Sequence, residues 1–341
     1  RAADAGQRPA LAAESRSACC EKYTQIFVLR NRNDEAAVAE LVALFHGTAS
    51  VLLRHEIAYT LGQMQRVDAV PFLERLLADR AEDPITRHEA AEALGAIEAP
   101  ESLSVLAKHA ADDASEVSET CGLALALLNY KIDKGACGCE RRPQEALRKE
   151  AQAAAAAAPE AAEAAGGGPA AADADADASS AACPWQPAPP EPTAPTYTYV
   201  SPAPAAEAAP LPELRARLLD RGAPLFERYR ALFALRDAVP REGAGAVAAL
   251  CECLGRAGGE SALLKHEVAF VLGQLEHPAA GDALCGAVRR EGEHGMVRHE
   301  AAEALGAIGT PQAVETLRAY CGHAEEILRE SCWVALMWLE D

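Results

Sequence analysis

At 341 residues, half of them hydrophobic, the chain has enough apolar material for two domains, each with its own core. Its net charge of −19 argues against a nonspecific nucleic-acid binder and suits a basic partner or a polyamine-like substrate. No apolar signal core occurs in the first twenty residues and no run approaches 18 uninterrupted apolar residues, so no membrane partner is expected and the setting is read as cytoplasmic.

Residues 1–20 repeat nowhere else in the chain and read as a disordered N-terminal extension. Residues 21–133 form a first repeat block, with EKYTQIFVLRN at 21–31, LLRHEIAYTLGQM at 52–64, RHEAAEALGAI at 87–97 and SETCGLALALL at 118–128. Each unit reads as helix, short turn, helix. Gly62 and Gly95 fall near helix ends, and Pro71 and Pro100 restart the chain in the first turn of the next helix. Within RHEAAEALGAI, the residues Ala90, Ala91, Leu94 and Ile97 make one buried stripe, and the small alanines permit close helix approach.

The segment 134–210 breaks this pattern with an Ala run, Gly166-Gly167-Gly168, an Asp-Ala alternation and a Pro-rich tract from Pro184 to Pro210. Such a composition cannot bury a core and reads as a linker. Residues 211–341 repeat the first block: ERYRALFALRD at 227–237, LLKHEVAFVLGQL at 263–275, RHEAAEALGAI again at 298–308 and RESCWVALMWL at 329–339. The last three are offset from their partners by 211 residues, and the first by 206. A period near 33 with helical patterning predicts an all-α solenoid in two pseudo-symmetric halves of about four helical hairpins each.

The eleven cysteines include no CxxC pair. Cys137-Gly-Cys139 and Cys251-Glu-Cys253 are too closely spaced for an ordinary zinc knuckle. Cys121 and Cys332 hold equivalent positions on apolar helices and read as buried small hydrophobes, which favours a reducing compartment.

Four His-Glu pairs sit on the repeat grid: His55-Glu56, His88-Glu89, His266-Glu267 and His299-Glu300. Imidazole and carboxylate are the usual nitrogen and oxygen ligands of divalent metals. Adjacent helical residues point about 100° apart, so one pair does not clamp an ion alone. The next repeat stacks roughly 10 Å away, so consecutive histidines reach one ion and a second half facing the first makes a dinuclear site. Donors without thiolate fit Fe or Mn better than structural zinc. A zinc-protease HExxH is absent, because the residue four after each histidine is Tyr59, Glu92, Phe270 or Glu303. The bland alternative is four solvated pairs copied by duplication. Duplicated repeats usually let polar positions drift, whereas here His and Glu stay fixed while Ile57, Ala90 and Val268 vary beside them. His46, His109, His277, His294 and His323 lie off the grid and read as surface residues.

Through these four motifs the chain resembles deoxyhypusine hydroxylase, a family of HEAT-repeat di-iron monooxygenases. The resemblance covers both blocks and not the linker. It implies an all-α, HEAT-like helical-repeat solenoid that hydroxylates the deoxyhypusine side chain on the precursor of translation initiation factor 5A, with molecular oxygen and an external reductant. It also implies two Fe(2+) per chain, held by His55, His88, Glu89, His266, His299 and Glu300. Glu56 and Glu267 would then orient or bind the cationic substrate, and Met296 would lie near the substrate channel, with Ile85 as its first-half counterpart. A monomer is expected. The alternatives are a non-catalytic HEAT-repeat binding scaffold and a HEAT-like bilin lyase; neither needs metal-ligand pairs in both halves.

Overall fold

A computed structural model describes residues 13–134 and 199–340. These residues form fifteen α-helices, and no strand occurs among them. The first half contains α1 (Arg16–Arg32), α2 (Glu35–His46), α3 (Val51–Gln63), α4 (Val70–Ala78), α5 (Pro84–Ala96), α6 (Leu103–His109) and α7 (Ser115–Asp133). The second contains α8 (Leu211–Leu219), α9 (Leu225–Glu242), α10 (Ala244–Gly255), α11 (Ala262–Leu275), α12 (Gly281–Arg289), α13 (Gly295–Ile308), α14 (Pro311–Tyr320) and α15 (Glu326–Glu340). Short 3₁₀ turns at Val67–Ala69, Pro100–Ser102 and Pro278–Ala280 lead into α4, α6 and α12.

Odd-numbered helices form the inner layer, where α3, α5 and α7 stack in one half and α11, α13 and α15 in the other. The fourth unit of each half is a single long helix, α7 or α15. Gly62, Gly95, Gly273 and Gly306 explain how closely the inner helices pack. A Cβ at Gly62 would stand 2.7 Å from Ala93 Cα, and one at Gly306 would stand 2.8 Å from Ala335 Cβ. Gly95 meets Ala124 and Gly273 meets Ala304 in the same way. These glycines lie inside the last helical turn; the capping residues are Met64, Ile97, Glu276 and Gly309. Their function is contact with the alanine of the next inner helix, more than the helix ending that sequence position suggests.

The halves interlock at two seams related by the 211-residue offset. Ser261 Oγ donates to Glu119 Oε2 at 2.5 Å, and Ser50 Oγ donates to Glu330 Oε2 at 2.5 Å. Leu123 of α7 is buried in the second half's core, and its counterpart Val334 of α15 is buried in the first half's core. Each half therefore lends its last inner helix to the other, and the solenoid closes on itself.

Two boundaries differ from the composition-based reading. Helix α1 begins inside the stretch read as an extension, with Ser15 as its N-cap and Cys19 fully buried. Residues 199–210 fall in the stretch read as linker, yet they pack on the second half and bury Ala203. The rest of the Pro/Ala/Gly-rich segment, with Cys137 and Cys139, lies outside the described residues. Cys121 and Cys332 are buried. His109 is also buried, contrary to its reading as a surface residue: its Nδ1 sits 3.1 Å from Asp112 Oδ2, beside the Arg87–Asp112 ion pair. The Arg87 guanidinium, through its hydrogen bonds, holds the Asp112 carboxyl far below the usual range.

Candidate metal centre

The four His-Glu pairs occupy the same register on α3, α5, α11 and α13. Each helix starts at a side-chain cap five residues before its histidine. Ser50 accepts from Leu53 N, Asp83 from Ile85 N, Ser261 from Leu264 N and His294 from Met296 N. Each pair consequently falls one turn into its helix. The basic residue before each histidine fixes that register. Arg87 Nε donates to Leu77 O at 3.0 Å and pairs with Asp112, while Arg298 Nε donates to Val288 O at 3.1 Å and pairs with Glu325. Arg54 grips Glu82 and Lys265 grips Glu293 in the equivalent places. These ties between consecutive hairpins set the helix rotation that turns the following His and Glu inward.

All eight residues converge, and none is more than 7% exposed. The imidazoles of His55, His88, His266 and His299 form a rhombus. Ring centroids are 5.5 Å apart for His55–His88, 5.6 Å for His88–His266, 5.3 Å for His266–His299 and 5.0 Å for His299–His55. Across the short diagonal, His55 and His266 are 5.8 Å apart. His55 Nε2 lies 3.1 Å from Glu89 Oε2, and His266 Nε2 lies 3.3 Å from Glu300 Oε2. Three sets of donor atoms lie within 4.8 Å of one another: His55, His88 and His266; His266, His299 and Glu300; His88, Glu89 and Glu92. The first set takes ligands from both halves.

The donors suit a divalent metal. Seven of the eight imidazole nitrogens are buried without a well-formed protein hydrogen bond, although His55 Nε2 and His266 Nε2 stand 3.1 and 3.3 Å from the Glu89 and Glu300 carboxylates. Buried polar atoms are normally satisfied, and a cluster of under-satisfied imidazoles with one donor each within 4.8 Å of its neighbours marks a ligand-binding centre. The donors are nitrogen and oxygen with no thiolate, a set that suits iron or manganese.

A cavity of about 150 Å³ opens onto the centre. Six carboxylates line it: Glu56, Glu89, Glu92, Glu267, Glu300 and Glu303. The remaining wall is Tyr23, Phe27 and Arg30 of α1 with Tyr59, Tyr199 and Phe270, besides His55 and His266. Met296 is not among them; it lies at the start of α13, fully buried in the second half's core. Glu92 and Glu303 stand where an HExxH motif would have its second histidine, and both join the site. Four residues after a histidine is one helical turn, so they share its face. Glu303 is held by Tyr23, whose hydroxyl donates at 2.8 Å, and by Ser331 at 3.1 Å. Tyr199 carried no sequence signal, since it lies in a low-complexity tract.

Burial and mutual repulsion govern the electrostatics. Burial lifts Glu267 to about 8, and Glu300 and Glu89 add to the lift against the hydrogen bond from Tyr199. Burial likewise raises Glu300, reinforced by Glu303 and Glu56, and raises Glu92, reinforced by Glu89. Burial and the His55 charge push His88 and His299 well below the ordinary imidazole value, and His266 to about 4. For His55 burial acts downward but is outweighed by Glu89 and Glu56, so its pKa is raised. Without a cation the centre thus stores protons on carboxyls and on one histidine, which a metal would displace.

HEAT repeats are the family model that matches the chain, over residues 38–126 and 247–337. The chain is 38% identical over 315 residues to the deoxyhypusine hydroxylase of Bos taurus, covering 92% of this chain and 84% of that protein. It is 39% identical to the Homo sapiens deoxyhypusine hydroxylase, with the same coverage. A solved structure of human deoxyhypusine hydroxylase in complex with glycerol superposes with a TM-score of 0.71 at 39% identity, over 92% of this chain and 88% of that one.

Proposed function

The chain belongs to the deoxyhypusine hydroxylase family, and we propose that six residues of its four His-Glu pairs hold two iron ions with which it hydroxylates deoxyhypusine. The substrate is the deoxyhypusine side chain on the precursor of translation initiation factor 5A, and the product is hypusine. The observation that carries the metal reading is the rhombus of four buried imidazoles, short of well-formed hydrogen bonds and flanked by carboxylates from both halves.

In this reading His55, His88, Glu89, His266, His299 and Glu300 hold the irons. Bound iron supplies the redox chemistry, activating molecular oxygen with electrons from an external reductant. The protein's own part is recognition and shielding. Glu56 and Glu267 meet the ammonium groups of the substrate through charge-assisted hydrogen bonds and place its carbon chain beside the metals. Tyr23, Phe27, Tyr59 and Phe270 enclose the methylenes and keep bulk water out. Arg30, held 5.8 Å above the Tyr59 ring, borders the same wall.

One chain brings all four pairs to one centre, each giving the cavity at least one lining residue, which supports a working monomer. The cysteines described are all free thiols, and burial raises those of Cys19, Cys121, Cys253 and Cys332, in keeping with a reducing cytoplasm. No helix among the described residues is long and apolar enough to cross a membrane.

The test is mass spectrometry of the deoxyhypusine-bearing precursor after incubation with iron-loaded protein, oxygen and reductant. One added oxygen on the modified residue is expected. A folded, iron-loaded protein that leaves the precursor mass unchanged contradicts the proposal.

A further inference from the structure

The pseudo-twofold relation between the halves fails in one place. Tyr23 and Phe27 of α1 line the cavity, whereas their counterparts on α9, Tyr229 and Phe233, do not and are fully buried. The chain just before α8 covers them. The Tyr199 ring tilts over Phe270 at 4.8 Å and over Phe233 at 6.4 Å between centroids. Its hydroxyl donates to Glu267 Oε1 at 2.9 Å.

The next residue clasps the opposite half. Val200 N donates to Gln63 Oε1 at 2.9 Å, and Gln63 Nε2 donates back to Val200 O at 3.3 Å. Ala206 N then donates to Arg230 O at 2.9 Å, which sews the segment along α9. Among the described residues the first half has no such strap. Glu56, the counterpart of Glu267, has its hydrogen bond from His55 at 3.2 Å and no tyrosine, and Gln274, the counterpart of Gln63, is exposed.

We infer that the strap of residues 199–206 turns a two-ended cavity into a one-ended one, and that Tyr199 is a positioning residue that fixes Glu267 as the inner anchor for the terminal ammonium of the substrate. This rests on the reading above in which Glu56 and Glu267 meet the substrate's ammonium groups. The deoxyhypusine side chain is tethered to the precursor at one end, so in a cavity open at both ends it could enter by either mouth and place its terminal ammonium on Glu267 or on Glu56. Hydroxylation of one defined carbon requires a single direction. The strap supplies it twice over: the Tyr199 and Phe270 rings wall off the far end, and the tyrosyl hydroxyl occupies one oxygen of Glu267 and holds its rotamer. Phe27 and Arg30, partly exposed on α1, then border the open end.

Two variants test this: Tyr199→Phe, which keeps the ring and removes the hydroxyl, and Gln63→Ala, which opens the clasp. Both are measured as iron-loaded full chains with the deoxyhypusine-bearing precursor. The readouts are iron content, KM, kcat and the position of the added oxygen, located by tandem mass spectrometry. The expected result is a KM raised about 5- to 10-fold, the scale of one lost hydrogen bond, with kcat within about twofold and iron content unchanged. Tyr199→Phe should also yield some product hydroxylated at a second carbon. Unchanged KM and a single product isomer in both variants overturn the inference, and so does iron loss in Tyr199→Phe, which would make Tyr199 a prop for the metals. A wild-type protein that fails to hydroxylate the precursor shows instead that the parent reading is wrong, and the inference falls with it.

Discussion

The His55 imidazole lies 5.0 Å from that of His299 across the boundary between the halves, closer than the 5.5 Å that separates it from His88 in its own half. The two halves therefore share one constellation of donors. Their sharing depends on the seams at Ser50–Glu330 and Ser261–Glu119, which hold α15 against α3 and α7 against α11.

His55 faces three other imidazoles, so its removal should disturb both metals. His55→Ala is expected to hold less than one iron per chain. Elemental analysis of the purified variant checks this; a clean stoichiometry of one would assign each ion to a separate partner set.

His88 and Glu56 should separate metal binding from substrate binding. His88→Ala is expected to lose iron and at least ~100-fold in activity together, since even residues that only support a ligand cost about that much. Glu56→Ala should keep most of its iron while kcat/KM falls. Full iron loading in His88→Ala would remove it from the ligand set.

Iron uptake should depend on pH in a defined direction. Burial, reinforced by Glu303 and Glu56, raises the ligand Glu300 well above the usual carboxylate range. Ligation needs the ionised form, so protons compete with the metal and affinity rises with pH. Calorimetric titration in two buffers of different ionisation enthalpy should show net proton release at pH 7. Zero proton release would contradict the stored-proton picture.

Close approach of the inner helices can be tested away from the site. Gly62→Ala places a methyl 2.7 Å from Ala93 Cα, a backbone atom that cannot swing aside. The expected cost is about 1–3 kcal/mol, seen as a lower Tm. Gly122→Ala is the control: nothing lies within 4 Å of its Cβ position on the exposed face of α7, so it should stabilise by about 0.5–1 kcal/mol. Equal melting temperatures for the two variants would count against the packing argument.

Sequence by itself determined the repeat, the helical class and the four pairs, because each rests on a local period. RHEAAEALGAI occurs twice, and a fixed register gives its His and Glu the same orientation on each copy of the helix. Glu92 and Glu303 were within reach of the same logic, lying one turn beyond a histidine on the same face. Tertiary structure alone decided which histidines are neighbours, since the His55–His299 contact joins residues 244 positions apart through two seams that no local period encodes. It also turned Met296 into the core, buried His109 beside Asp112, and brought Tyr199 out of a low-complexity tract onto Glu267. Composition measures how much apolar surface a segment can bury, and Tyr199 is held by one hydrogen bond and two aromatic neighbours that only the assembled fold provides.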